Sequence, residues 1–184
     1  MVAVLLERLA VSLRDAGIPY MIIGGQAVLI YGEPRITKDI DVTLGVDVDR
    51  MADVLAVARG LSLAPLVDPV EFAKKTRVLP CQDQSIGLRV DFVFSFSAYE
   101  KEALSRTRAI RIGTTDVFYA SPEDVVIHKI VAGRPRDLED VRGILLKNPS
   151  IDATYIRRWL EDFSTSLGEP VLARFEEVRA STAQ

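Results

Sequence analysis

The chain opens with apolar residues at mixed helical intervals among charges, Val4, Leu5, Leu9, Val11 and Leu13 between Glu7, Arg8, Arg14 and Asp15, and then reaches Gly17 and Pro19. This pattern predicts a helix over 2–15 stopped by glycine and proline. Tyr20 to Ile23 is a short apolar run that breaks at Gly24-Gly25, and residues 26–31 read as a short helix closed by Gly32 and Pro34. Over 37–44 the alternation is strict, with Ile40, Val42 and Leu44 on one face and Asp39, Asp41 and Thr43 on the other, which predicts a strand carrying carboxylates on one side.

Residues 49–61 form an amphipathic helical pattern, 70–80 is ambiguous between helix and strand, and 87–96 is a β-rich run with one acid, Asp91. A helix over 97–106 and short strands over 110–112 and 117–119 follow. Ser121-Pro122-Glu123-Asp124 is a helix start, with a serine cap and proline at the first helical position. Three helices, near 122–132, 136–147 and 152–166, are expected to fill the rest, with fraying after about Val178. The expected class is therefore α/β (α+β): a mixed β-sheet core flanked by helices over 1–120, and a C-terminal helical region over 121–184 packed on it as one compact unit.

Composition narrows the setting. The 184 residues are 48% hydrophobic and 27% charged, within the range of globular chains and outside the disordered one. No apolar run approaches the ~20 residues that span a bilayer, and the charged opening segment lacks a signal-peptide pattern, so a cytoplasmic protein without membrane contact is expected. Cys81 is the only cysteine, which excludes an internal disulfide. A net charge of −3 advertises no global field for nucleic acid, although Lys74, Lys75, Arg77, Arg106, Arg108, Arg111, Arg134 and Arg136 form local basic groups.

The acids carry the candidate chemistry. Asp39 and Asp41, two apart on a strand, project from one face, where two like charges require a cation or basic partners such as Arg35 and Lys38. A divalent ion suits them, since Mg²⁺ (or Mn²⁺) takes hard oxygen ligands from one or two carboxylates and substrate phosphates. Gly24-Gly25, between a strand and a helix, permits close approach of backbone N–H groups to phosphate oxygens, although a glycine pair equally makes a plain turn. Asp91 lies within an apolar strand, where an unpaired carboxylate is costly. If its strand neighbours 37–44, three carboxylates converge, enough for metal-assisted phosphoryl chemistry; the alternative is an acid at a sheet edge.

The run IIGGQAVLIYGEPRITKDIDV, with RVDFVF downstream, resembles the signature of the DNA polymerase β-like nucleotidyltransferase superfamily. The run SPEDVVIHKIVAGRPRDLEDV is similar to AbiEii-type and related nucleotidyltransferases, several of which are toxins of toxin–antitoxin systems. The resemblance spans residues 18 to about 145. It implies that Gly24 and Gly25 cradle a nucleoside triphosphate, that Asp39 and Asp41 bind metal, and that Asp91 binds metal and takes the proton of the attacking hydroxyl. It further implies that Lys129 contacts nucleotide phosphates, while Arg134, Arg136, Asp137 and Asp140 match a segment of less defined role. Many members carry serine after the first glycine; Gly25 stands there, and Gln26 is a candidate replacement contact. Thr37 and Lys38 are candidate substrate contacts. The sole histidine, His128, adjoins Lys129 but points elsewhere on a helix.

The expected activity is metal-dependent transfer of a nucleoside monophosphate from a nucleoside triphosphate to an acceptor hydroxyl. The acceptor class stays open: RNA, with the tRNA end foremost and a cognate antitoxin as partner, or a protein or small molecule. A catalytically silent nucleotide-binding regulator, and a structural role in which the acids pair with Arg35, Lys38 and Arg89, are the competing readings.

Overall fold

The computed structural model describes residues 1–95 and 97–182, which form two compact units. The first comprises residues 1–26 and 37–120, and the second residues 27–36 and 121 onward.

The first unit is built on a seven-stranded mixed sheet. Its strands are β1 (Tyr20–Ile23), β2 (Asp39–Leu44), β3 (Leu63–Pro65), β4 (Val78–Asp83), β5 (Arg89–Phe94), β6 (Arg108–Ile112) and β7 (Thr115–Tyr119), in the order β3-β4-β5-β2-β1-β7-β6. β2 runs antiparallel to β1 and parallel to β5. Helix α1 (Val2–Asp15), in the expected place, buries Leu5, Leu6, Leu9, Ala10 and Leu13 and packs on β7, while Val4 and Val11 of the opening pattern are exposed and half-buried. The alternation in β2 and β5 places Ile40, Val42, Val90 and Phe92 fully inside, so the intervening acids are held on the opposite face.

Several expected boundaries move. The strand expected over 37–44 begins at Asp39, and the helix α2 (Gly24–Tyr31) starts at the glycine pair itself. The helix expected over 49–61 opens with a 3-10 turn, Val48–Arg50, before α3 (Met51–Gly60), because Asp47 caps that turn by accepting from Val48 N–H. The ambiguous 70–80 stretch divides into α4 (Pro69–Thr76) and β4, with Arg77 in the left-handed region between them. Strand β3 is missed by the sequence pattern, since three residues carry no readable alternation. The end of the run expected over 87–96 lies outside the described residues. Helix α5 (Ala98–Ser105) is set by a reciprocal Ser97–Glu100 capping box.

Cys81, on β4, is fully buried, and burial together with the Asp91 charge pushes its thiol up to about 12. Native protein at pH 8 is expected to react with a disulfide reagent on the order of a thousandfold more slowly than after unfolding, since only the thiolate attacks. Monitoring thiol release with and without denaturant checks this.

The second unit contains residues 27–31 of α2 and the helices α6 (Pro122–Ala132), α7 (Pro135–Lys147), α8 (Ala153–Leu167) and α9 (Val171–Ala180). Ser121 caps α6 through Asp124 N–H, Pro122 opens it, and Gly133 closes it at φ +65°. Helix α9 continues through Ala180 where fraying was expected from about Val178, because Val171, Phe175 and Val178 are buried. Residues 183–184 lie outside the described residues. The interior also holds charge. Asp124 is fully buried, accepting from Ser121 Oγ at 2.6 Å and Tyr155 Oη at 2.8 Å. Among the described residues, no helix is long and apolar enough to cross a membrane.

Candidate active site

The candidate site in the first unit begins where β1 ends. The antiparallel register sets Ile23 opposite Asp41, so the chain leaves β1 beside that carboxylate and turns into α2. Gly24 has φ +63°, and a Cβ there would lie 1.9 Å from Asp41 Oδ2. Only a glycine satisfies both the backbone conformation and this approach. Gly24→Ala is expected to destabilise the fold by roughly 1–2 kcal/mol through the left-handed backbone alone and to displace Asp41, with nucleotide binding lost; urea unfolding and nucleotide titration check the two effects.

β5 lies beside β2 in parallel, with Asp41 in register with Asp91 and Asp39 in register with Arg89. Adjacent strands are about 4.8 Å apart, so the four side chains form a compact quartet on one face. All three acids are half-buried. Arg89 donates from Nε to Asp91 Oδ1 at 2.8 Å, and this bond, with the nearby charges of Asp39 and Asp41, holds its guanidinium yet more firmly protonated. Gln26, 5% exposed, donates from Nε2 to Thr37 Oγ1 at 2.6 Å and to the Asp39 carbonyl at 3.4 Å, tying the start of α2 to the entry of β2. Gly25 is buried, Thr37 half-buried and Lys38 exposed.

The donor set suits a hard divalent cation: carboxylate oxygens on a rigid strand face, against a glycine whose missing side chain keeps the space beside Asp41 open. Among the described residues, no group of three His, Cys, Asp or Glu side chains is gathered to hold a metal as it stands. The backbone register brings Asp39, Asp41 and Asp91 together, and the Arg89 contact engages one of them.

Lys129 belongs to the second unit. Its ammonium is buried and bridges Asp137 Oδ1 at 2.6 Å and Asp140 Oδ2 at 3.0 Å. Arg134 Nε donates to Asp137 at 2.6 Å, and Arg35 grips Asp140 through both oxygens at 2.9 Å each. Arg35, a sequence candidate for neutralising the β2 acids, is thus the partner of Asp140. Burial works to raise the Asp137 carboxyl, but the hydrogen bonds from Arg134 and Lys129 outweigh it and hold it below the usual aspartate range. Arg136 is exposed and lines a cleft of about 490 Å³ with Glu33, Arg35, Pro135, Glu139 and Asp140. His128 is half-buried on α6. The resemblance groups Arg134, Arg136, Asp137 and Asp140 without a defined role; a lysine eight residues before an Asp-x-x-Asp pair is the available sign of an internal ion network.

The family described as nucleotidyltransferase of unknown function (DUF6036) matches residues 3–174 of the chain. No protein of curated function matches the sequence. Among solved structures, the antibiotic-resistance factor ANT(2'')-Ia is similar with a TM-score of 0.65 at 16% identity, over 90% of this chain and 92% of that one. An antigenic nucleotidyltransferase-like protein from Paracoccidioides brasiliensis gives 0.57 at 17% identity, over 94% and 92%. The lincosamide antibiotic adenylyltransferase LnuA, solved with lincomycin bound, gives 0.51 at 12% identity, over 72% and 89%. At these identities the likeness is one of fold.

Proposed function

Because the chain belongs to this nucleotidyltransferase family, we propose that it moves a nucleoside monophosphate from a nucleoside triphosphate onto an acceptor hydroxyl, using Asp39, Asp41 and Asp91 to hold Mg²⁺ or Mn²⁺. The observation that carries the proposal is the register of Asp41 with Asp91 on parallel strands, beside a glycine that must lack a side chain.

The acceptor oxygen forms a bond to the α-phosphorus, the bond from that phosphorus to the bridging oxygen breaks, and pyrophosphate leaves. A bound divalent cation supplies charge neutralisation on the phosphates. Asp91 accepts the proton of the acceptor hydroxyl, and the backbone N–H groups of Gly24 and Gly25, at the start of α2, orient the triphosphate. Gln26 fixes Thr37 and the entry of β2, so the carboxylates stand in place before substrate arrives.

For the acceptor, the acid pairing of four of the eight local basic residues favours a small-molecule or protein hydroxyl. Lys74 pairs with Glu71, Arg77 with Asp47, Arg111 with Asp116 and Arg134 with Asp137, which leaves less free positive charge to steer RNA. The like fold of antibiotic-modifying enzymes agrees with this. The tRNA acceptor, with an AbiEii-type toxin role and a cognate antitoxin, rests on the resemblance of residues 121–141.

The test is incubation of purified protein with Mg²⁺ or Mn²⁺, each α-phosphate-labelled nucleoside triphosphate, and three acceptor pools: total RNA, cell-extract protein, and hydroxyl-bearing antibiotics. Metal-dependent label in any pool supports transfer and names the acceptor class. Nucleotide binding without label in all three would replace this reading with a regulatory one.

A further inference from the structure

We propose that Arg89 is a built-in counter-cation of the three-carboxylate face, which competes with the divalent ion for Asp91 and must leave that carboxylate before the metal is held. The inference rests on the metal-dependent reading above and assigns to Arg89 a role that the family resemblance did not.

Three observations carry it. The register places Arg89 beside Asp39 and one alternation step from Asp91, on the same face as all three acids. Its Nε donates to Asp91 Oδ1 at 2.8 Å, so an oxygen suited to a metal is already engaged by a cation. The two side chains differ in freedom: Arg89 is 50% exposed, whereas Asp91 is 16% exposed and fixed in a central strand. The acid is therefore stationary and the guanidinium is the movable partner.

Physical chemistry sets the direction of the exchange. Three carboxylates within one or two strand spacings repel one another, and the fold needs a positive charge among them when no metal is bound. Arginine retains its charge at every physiological pH, so it fills that need unconditionally. A half-exposed ion pair contributes little, and a divalent cation bound by several oxygens exceeds it. A divalent ion and a guanidinium on one carboxylate also repel each other. Metal binding thus swings Arg89 outward, and the long, half-solvated side chain moves without disturbing the core.

The experiment compares the full chain with Arg89→Gln by Mn²⁺ titration followed by electron paramagnetic resonance without nucleotide, and follows the Arg89 Nε–H signal by NMR during a Mg²⁺ titration. The expected results are Mn²⁺ affinity about fivefold tighter in the variant, the equivalent of an exposed ion pair, and loss of the hydrogen-bonded Nε–H signal over the same Mg²⁺ range that saturates the protein. A variant affinity equal to or weaker than wild type, or an Nε–H bond that survives Mg²⁺ saturation, overturns the proposal while leaving the metal reading intact. A wild type that binds no metal, as the Asp39→Asn/Asp41→Asn variant is expected not to, overturns both. Arg89→Lys separates contact from net charge, since it keeps the charge and loses the planar donor fork. Its Mn²⁺ affinity is expected to fall between the other two, and an affinity below wild type overturns the competition.

Discussion

Asp39→Asn/Asp41→Asn is expected to lower nucleotidyl transfer by at least about a thousandfold, the scale on which loss of preorganised electrostatic stabilisation reads, with the fold left intact. Both acids lie on β2, opposite the fully buried Ile40 and Val42, so the substitutions leave the apolar side of the sheet untouched. Their removal also relieves repulsion between charges two residues apart, so unfolding in urea is expected to shift by less than about 1 kcal/mol in either direction. Transfer and unfolding are measured on the same preparation. Retained transfer would remove these acids from the chemistry, and a large loss of stability would make them structural partners of Arg89.

Lys129→Met acts in the opposite sense, destabilising the second unit by about 3–5 kcal/mol, the cost of breaking a buried ion pair by removing one partner. The ammonium lies between Asp137 and Asp140, both nearly buried, and methionine would leave two carboxylates facing each other without their shared cation. Against a total stability of 5–15 kcal/mol for an ordinary domain, this is a substantial fraction, visible as a lowered urea midpoint. A pH titration gives a second readout. The Asp137 carboxyl titrates below its ordinary range in the folded chain, so its contribution is complete above about pH 4 and is lost as pH falls through the depressed folded value. The wild type therefore weakens on acidification below pH 4, and Lys129→Met, lacking one donor to Asp137, shows a flatter dependence there. Unchanged stability with impaired nucleotide binding would instead make Lys129 a phosphate contact, as the sequence resemblance implies.

The candidate site was legible in uneven measure. Asp39 and Asp41 declare themselves because a strand alternates with period two, which makes same-face placement a local property. Gly24 is visible as punctuation between two elements, but its reason is not: the carboxylate it accommodates is seventeen residues away. Arg89 is legible in part. It stands among the basic partners the acids could take, and its spacing from Asp91 is readable, yet its place beside Asp39 and Asp41 depends on β2 lying next to β5. Arg35 shows the converse. Four residues before Asp39 in sequence, it is committed to Asp140, a partner more than a hundred residues later.

Local sequence was sufficient for the extent of α1, the cap at Ser121, the carboxylate face of β2 and the mixed class of the chain, because each depends on dihedral preferences and burial periodicity within a few residues. The seven-strand order, the parallel alignment that sets Asp91 beside Asp41, the short strand β3 and the charged interior around Lys129 depend on which distant segments share a surface. Hydrogen-bond registers and buried ion pairs exist only once that surface forms, and the periodicity of a single segment carries no information about the segment it will meet.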